Sequence, residues 1–211
     1  MKSYKQYCAV AHALDLVGER WSLLVVRELI EHGPLRYSDL HANLSRCGTN
    51  ILATRLKELE HNGIVRRRKL PPPAASTVYE LTEYGEELRQ VLHVLGHWGA
   101  RSLHPPTGND LQEPGWLAAA LQVALPPCPT GSRIEFRVGD EVASYSDGEA
   151  HTGSMENPDA VVECDRLGFY RLLVDQELDA VEVRGDTEAV SALLARLPFA
   201  ESPARVEAAT A

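Results

Sequence analysis

The sequence predicts an α+β chain in two domains, and three observations carry that prediction. Short amphipathic helical segments fill the first half and lead into a strand bearing four consecutive cations, Arg66-Arg67-Arg68-Lys69. The run His104-Pro105-Pro106-Thr107-Gly108-Asn109 then breaks the chain. The charge also changes sign across that break. Residues 1–104 hold 14 Lys/Arg against 11 Asp/Glu, a net of +3, and residues 105–211 hold 7 against 19, a net of −12.

The elements follow in order. Val10, Leu14 and Val17 set a helix over 8–17 that stops at Gly18. A second helix over 20–32 buries Trp21, Leu24, Val25, Leu29 and Ile30 and ends at Gly33-Pro34. A short helix over 38–44 takes Ser38 as N-cap. After the turn 45–48, a helix over 49–61 is closed by Asn62-Gly63, which tolerates positive φ. Strands at 64–69 and 77–81 flank a stiff tip containing Pro71-Pro72-Pro73. Thr82 caps a long helix over 83–102 with Leu88, Val91, Leu92, Leu95 and Trp98 as its apolar stripe.

The second half has a different texture. A helix over 116–125 precedes strands at 133–138 and 141–146, a third after Asp147-Gly148, and a fourth at 160–164. A helix over 167–174, a strand over 180–184 and a helix over 187–197 complete it. The expected layout is a first domain at 1–104, a linker at 105–115, a second domain at 116–200 and a disordered tail at 201–211.

Composition narrows the function classes. The overall net charge of −9 argues against nucleic acid, but residues 46–70 alone carry 7 basic and 2 acidic side chains, and a local patch matters more than a total. Cys8, Cys47, Cys128 and Cys164 form no Cys-x-x-Cys pair, so neither a zinc site nor a disulfide framework is expected. The start has no apolar signal core and no run is long enough to span a bilayer, so a cytoplasmic location is expected. Nucleophile-elbow, metalloprotease and phosphate-loop motifs are missing, and the chain reads as a non-enzyme without a cofactor. His93 and His97, four apart, have no third metal ligand placed by the sequence, and a surface or seam role is expected for them.

In the helix over 49–61, Leu52, Leu56 and Leu59 fall on one side. Asn50, Thr54, Lys57 and His61 fall opposite. By itself this describes any solvated surface helix. In sequence, though, a short helix, a four-residue turn, this helix and a cationic hairpin have the spacing of a winged helix-turn-helix. Thr49 and Asn50 stand where a recognition helix meets base edges, and Ile51 is within reach of a thymine methyl. Arg55, Lys57, Arg66, Arg67, Arg68 and Lys69 suit phosphates. Arg36 and Ser38, at the head of the preceding helix, complete the candidate DNA contacts. The bland reading of the cationic strand is a solubilising edge.

The first half resembles the HxlR family of bacterial winged-helix regulators. The resemblance is carried by 8–21 (CAVAHALDLVGERW), Arg36-Tyr37-Ser38-Asp39-Leu40, 52–64 (LATRLKELEHNGI), 79–85 (YELTEYG) and Trp98-Gly99. The family usually opens its recognition helix with Ile-Ser, where this chain has Cys47-Gly48. The resemblance implies a homodimer through the first helix and the helix after the wing, hence through Val10, Leu14, Val91, Leu95 and Trp98. A dimer of this kind binds a pseudo-palindrome of double-stranded DNA with half-sites roughly 34–36 Å apart. Left unpaired, the same side chains would be an exposed apolar patch, unless the second domain covers them. The resemblance also makes Cys8 a redox or electrophile sensor candidate, with Lys2 and Lys5 near enough to favour its thiolate. An idle thiol is the alternative.

The second half resembles the sterol-carrier-protein-like domain, through 159–165 (DAVVECD), 167–173 (LGFYRLL), 181–186 (VEVRGD) and 189–194 (AVSALL). This implies a site for an apolar small-molecule effector lined by Trp116, Leu121, Phe136, Phe169, Tyr170 and Leu173. The same residues serve equally as core. Three functions stand open at this point: an effector-modulated DNA-binding regulator, a thiol-sensing regulator, and a hydrophobic-ligand carrier that does not bind DNA.

Overall fold

The computed structural model describes residues 3–100, 102–108, 110, 115–125 and 131–197. The expected tail at 201–211, Cys128 and parts of the expected linker lie outside these residues. The chain divides into two compact units, 1–93 and 94–211. Among the described residues no helix is long and apolar enough to cross a membrane.

The first unit runs α1 (Ala9–Val17), α2 (Ser22–His32), α3 (Tyr37–Asn43), α4 (Thr49–His61), β1 (Val65–Lys69), β2 (Thr77–Leu81) and α5 (Glu83–Glu86), and enters α6 (Leu88–Ala100). Its core joins Val25, Val26 and Leu29 of α2 to Leu40 of α3 and to Leu52, Leu56 and Leu59 of α4. The period of 3.6 in α4 aligns those three leucines, and truncating any one to Ala costs about 2–5 kcal/mol. β1 and β2 pair antiparallel with Arg66 opposite Glu80 and Arg68 opposite Val78. Leu35 exchanges two backbone hydrogen bonds with Tyr79, so a minimal third strand lies on the far side of β2.

Several boundaries differ from expectation. Ser38 is not the N-cap of α3. Arg36 takes that place, and the Asp39 carboxylate accepts the Arg36 amide at 3.2 Å. An acid at the third helical position satisfies the helix end from within. Leu24 is 37% exposed, while Val26 is fully buried, so the inward stripe of α2 is rotated from the expected one. Gly63, at φ +70, supplies the turn after α4, and Asn62 stays at φ −81. The long helix is interrupted at Glu87 into α5 and α6 and stops at Ala100. Thr82 does cap α5, accepting the Gly85 amide at 3.0 Å. Gly85 passes so close to the Ile64 carbonyl that a Cβ there would collide with it.

The second unit contains α7 (Trp116–Ala124), β3 (Ile134–Val138), β4 (Glu141–Ser146), β5 (Glu149–Thr152), β6 (Ala160–Cys164), α8 (Arg166–Tyr170), β7 (Glu182–Gly185) and α9 (Thr187–Leu194). The five strands lie in the order β5-β4-β3-β6-β7, with only the β3–β6 pair parallel. Helix α7 lies along β4 and β5, and α8 and α9 lie against β6. Ile134, Phe136 and Val138 face those helices, as the alternation predicts. The segment expected as one helix over 167–174 turns from α into a π-helical stretch, Arg171–Asp175. A 3₁₀ turn at Leu178–Ala180 delays the last strand to Glu182. Helix α7 ends at Ala124 and α9 at Leu194, both short of the expected limits.

Candidate nucleic-acid interface

Helix α4 is anchored by its leucine stripe, and its other face is open. Thr49, Asn50, Thr54 and Lys57 are all exposed. Gly48 precedes Thr49 with no side-chain cap; the Ile51 and Leu52 amides donate to the Gly48 carbonyl, and the Thr49 and Asn50 amides receive no side-chain cap. The Tyr37 hydroxyl donates to the Thr49 carbonyl at 2.8 Å, and its ring stacks on His41, fixing the start of α4 against α3. The Thr54 hydroxyl donates to the Asn50 carbonyl at 2.8 Å, leaving its methyl and both acceptor lone pairs for a partner. Ile51 is exposed on the first turn.

Arg55 does not belong to this open face. Its side chain is 13% exposed and pairs with Glu58 at 2.8 Å and Glu19 at 3.4 Å. A helical projection puts Arg55 at the margin of the polar side, where Glu58 one turn on and Glu19, before α2, both engage it.

The hairpin arginines are exposed but paired. Arg66 donates from Nε to Glu80 Oε1 at 2.8 Å, and Arg68 donates from Nε to Glu80 Oε2 at 2.6 Å. Arg67 donates from Nε to Glu60 Oε1 at 2.8 Å, joining the wing to the end of α4. These bonds hold the Glu80 carboxyl below the ordinary carboxylate range, with the Arg68 contact the main cause, and push the Arg67 guanidinium higher still. Among the described residues Lys57 and Lys69 have no ion-pair partner. Arg36 is exposed and donates from Nε to the Ser76 hydroxyl at 3.1 Å, while the Ser38 hydroxyl donates to Asp39. Sequence reasoning passed over Tyr37, Glu60 and Glu80. The signal for Glu80 was its lone acidic position in a strand opposite a cationic one.

Behind this face, Glu28 of α2 is 3% exposed. It accepts from Arg27 and, at 3.0 Å, from Asn43 at the end of α3. Glu31 and His32 complete a small polar cluster around it. Burial pushes the Glu31 carboxyl up to about 7, against the pull of Arg27.

Val10 and Leu14 of α1 are exposed, and so are Val91, Leu95 and Trp98 of α6, with Val10 at 68% and Trp98 at 69%. Beside α1, a mostly apolar groove of about 210 Å³ is lined by Ala13, Leu16, Val17, Ile64, Leu88 and Val91, with Tyr84 and Glu87 also on its wall. Cys8 is exposed at the N-cap of α1. The Ala11 and Val10 amides at the helix start lower its thiol pKa; of the two lysines expected to do so, Lys2 lies outside the described residues.

In the second unit Leu121, Phe136, Phe169, Tyr170 and Leu173 are buried, and Trp116 is half-buried. Phe169 stands edge-on to both Trp116 and Phe136. The Tyr170 hydroxyl donates to the Leu103 carbonyl at 3.0 Å. His97 is engaged with the Val123 carbonyl, so His93 and His97 do not form an open metal pair.

Residues 16–106 match the HxlR-like helix-turn-helix family. The chain is 36% identical over 93 residues to the HTH-type transcriptional regulator YodB of Bacillus subtilis, covering 44% of this chain and 82% of that protein. It is 39% identical to the HTH-type transcriptional regulator sll1512 of Synechocystis, covering 42% of this chain and 67% of that one. Among solved structures, the reduced form of YodB is 33% identical, with a TM-score of 0.42, and is matched over 48% of this chain and 100% of its own. The family match falls on the helices and hairpin just described, and the chain belongs to the HxlR-like helix-turn-helix family.

Proposed function

We propose that the protein is a DNA-binding transcriptional regulator acting as a homodimer, with α4 in the major groove and the β1–β2 wing on the backbone. The observation that carries this reading is the joint exposure of the first turn of α4 and of the hairpin cations, tied together by the Arg67–Glu60 bond. Asn50 reads an adenine edge, Thr49 and Thr54 contact neighbouring bases, and Arg36, Ser38, Lys57, Arg66, Arg67, Arg68 and Lys69 meet phosphates. A mobility shift on DNA upstream of the protein's own gene tests it. Arg67→Ala weakens binding to all sequences alike, whereas Asn50→Ala relaxes preference at one base position. Equal binding by both variants and the wild type removes the assignment.

The dimer forms through Val10, Leu14, Val91, Leu95 and Trp98. Their exposure, with the groove beside α1 to receive a side chain from a second copy, supports this reading. Within the second unit, residues 116–200 form a sterol-carrier-like effector domain that follows a linker at 105–115. The one-sided helical cover of its sheet and its aromatic cluster support that. An apolar molecule retained in native mass spectra of protein from its own host is the expected result, and an empty domain favours a fixed accessory role. A second input is favoured by the exposed Cys8 and its lowered thiol pKa. Diamide releases the wild type from DNA and leaves Cys8→Ser bound. The YodB structures include quinone-bound and diamide-treated forms.

A further inference from the structure

We infer that Glu80 is a positioning residue that restrains the charge of the wing and so sets the strength of its grip on phosphate. Glu80 sits on β2 directly opposite Arg66 and diagonal to Arg68. Its side chain is 11% exposed, and each carboxylate oxygen takes one guanidinium Nε. Two neighbouring cations therefore share one buried anion. A salt bridge between solvent-exposed partners is weak, but here the acid is desolvated and cannot turn to water when its partners leave.

The bond geometry matters as much as the charge. Both arginines are held through Nε, so their terminal Nη donors remain available. Arg66 and Arg68 can reach a phosphate without leaving Glu80, but the phosphate then meets an anion behind them. Glu80 thus aligns the two guanidiniums on one face of β1 while subtracting a charge from that face. Arg67 and Lys69 point to the opposite face by strand alternation and lie outside its control.

This inference rests on the DNA-binding reading, and the test separates the two. Wild type and Glu80→Gln are compared by fluorescence anisotropy on a 30-base-pair duplex of arbitrary sequence at low salt, and by elution from a heparin column. Glu80→Gln should bind the duplex about fivefold more tightly, the size of one close charge contact near a protein surface, and elute from heparin at higher salt. Glu80→Asp keeps the anion and stays near wild type, which separates charge from packing should the Gln variant fold less well. In an Arg66→Ala/Arg68→Ala background the gain disappears. Unchanged or weaker binding by Glu80→Gln, or an equal gain without the two arginines, overturns the inference. Later elution from heparin with no duplex binding by either protein upholds the restraint and removes the DNA reading instead.

Discussion

Salt titration of DNA binding offers a quantitative check, because the structure fixes how many cations are uncommitted. Of the proposed phosphate contacts, Arg36, Lys57 and Lys69 have no carboxylate partner among the described residues, whereas Arg66, Arg67 and Arg68 are held by Glu80 and Glu60. Each neutralised phosphate contributes about −0.9 to the slope of log K against log salt. With two protomers on the duplex, the uncommitted cations alone give a slope of about −5. Full engagement of all six cations per protomer gives about −11. The expected slope lies near the smaller value, measured by anisotropy from roughly 50 to 200 mM salt on the upstream duplex. A slope near −11 would show that the paired arginines neutralise phosphate as fully as the unpaired cations, and one near zero would refute the interface altogether.

Two further outcomes concern the scaffold. Glu28→Ala removes the buried tie between α2 and α3 and should cost about 2–3 kcal/mol in urea unfolding, with Asn43→Ala non-additive to it because both share one bond. Fully additive effects would show that the bond contributes nothing. Glu31 holds its proton up to about pH 7 in the folded state, against 4.5 for an ordinary glutamate. The folded form therefore binds more protons than the unfolded form between those values, and stability falls as pH rises through that window. Glu31→Gln should match the wild type near pH 4.5 and exceed it by about 1 kcal/mol at pH 8, after discounting for solvent screening. A difference independent of pH would exclude this cause.

Much of the first unit was legible because its signals are local. Helix α4 spans Thr49–His61 as expected, since the leucine period, the flanking Gly48 and the Asn62-Gly63 stop all agree. Strands β2 and β6 also fall on their expected bounds. What escaped depends on contacts distant in sequence. Arg55 is engaged by Glu19 from another segment as well as by Glu58 on its own helix. The wing arginines are paired because register puts Glu80 across from them, and register cannot be read from a lone strand. In the second unit the alternation of Ile134, Phe136 and Val138 gave the strand, but the parallel pairing of β3 with β6 came only with the topology. The π-helical continuation of α8 has no periodic signature distinct from an α-helix of the same residues.

The outer strands of the second unit's sheet have one more implication. β5 and β7 are each four residues long and carry Glu149 and His151, and Glu182 and Arg184. The hairpin's outer strand is the arginine-rich β1. Every sheet border in the described chain is thus abrupt or strongly ionic, which discourages fibril-like addition of further strands. Association of copies at high concentration is therefore expected through exposed helical side chains, so light scattering should fall when Trp98 or Val10 is made polar and rise when the edge charge of Arg184 is removed.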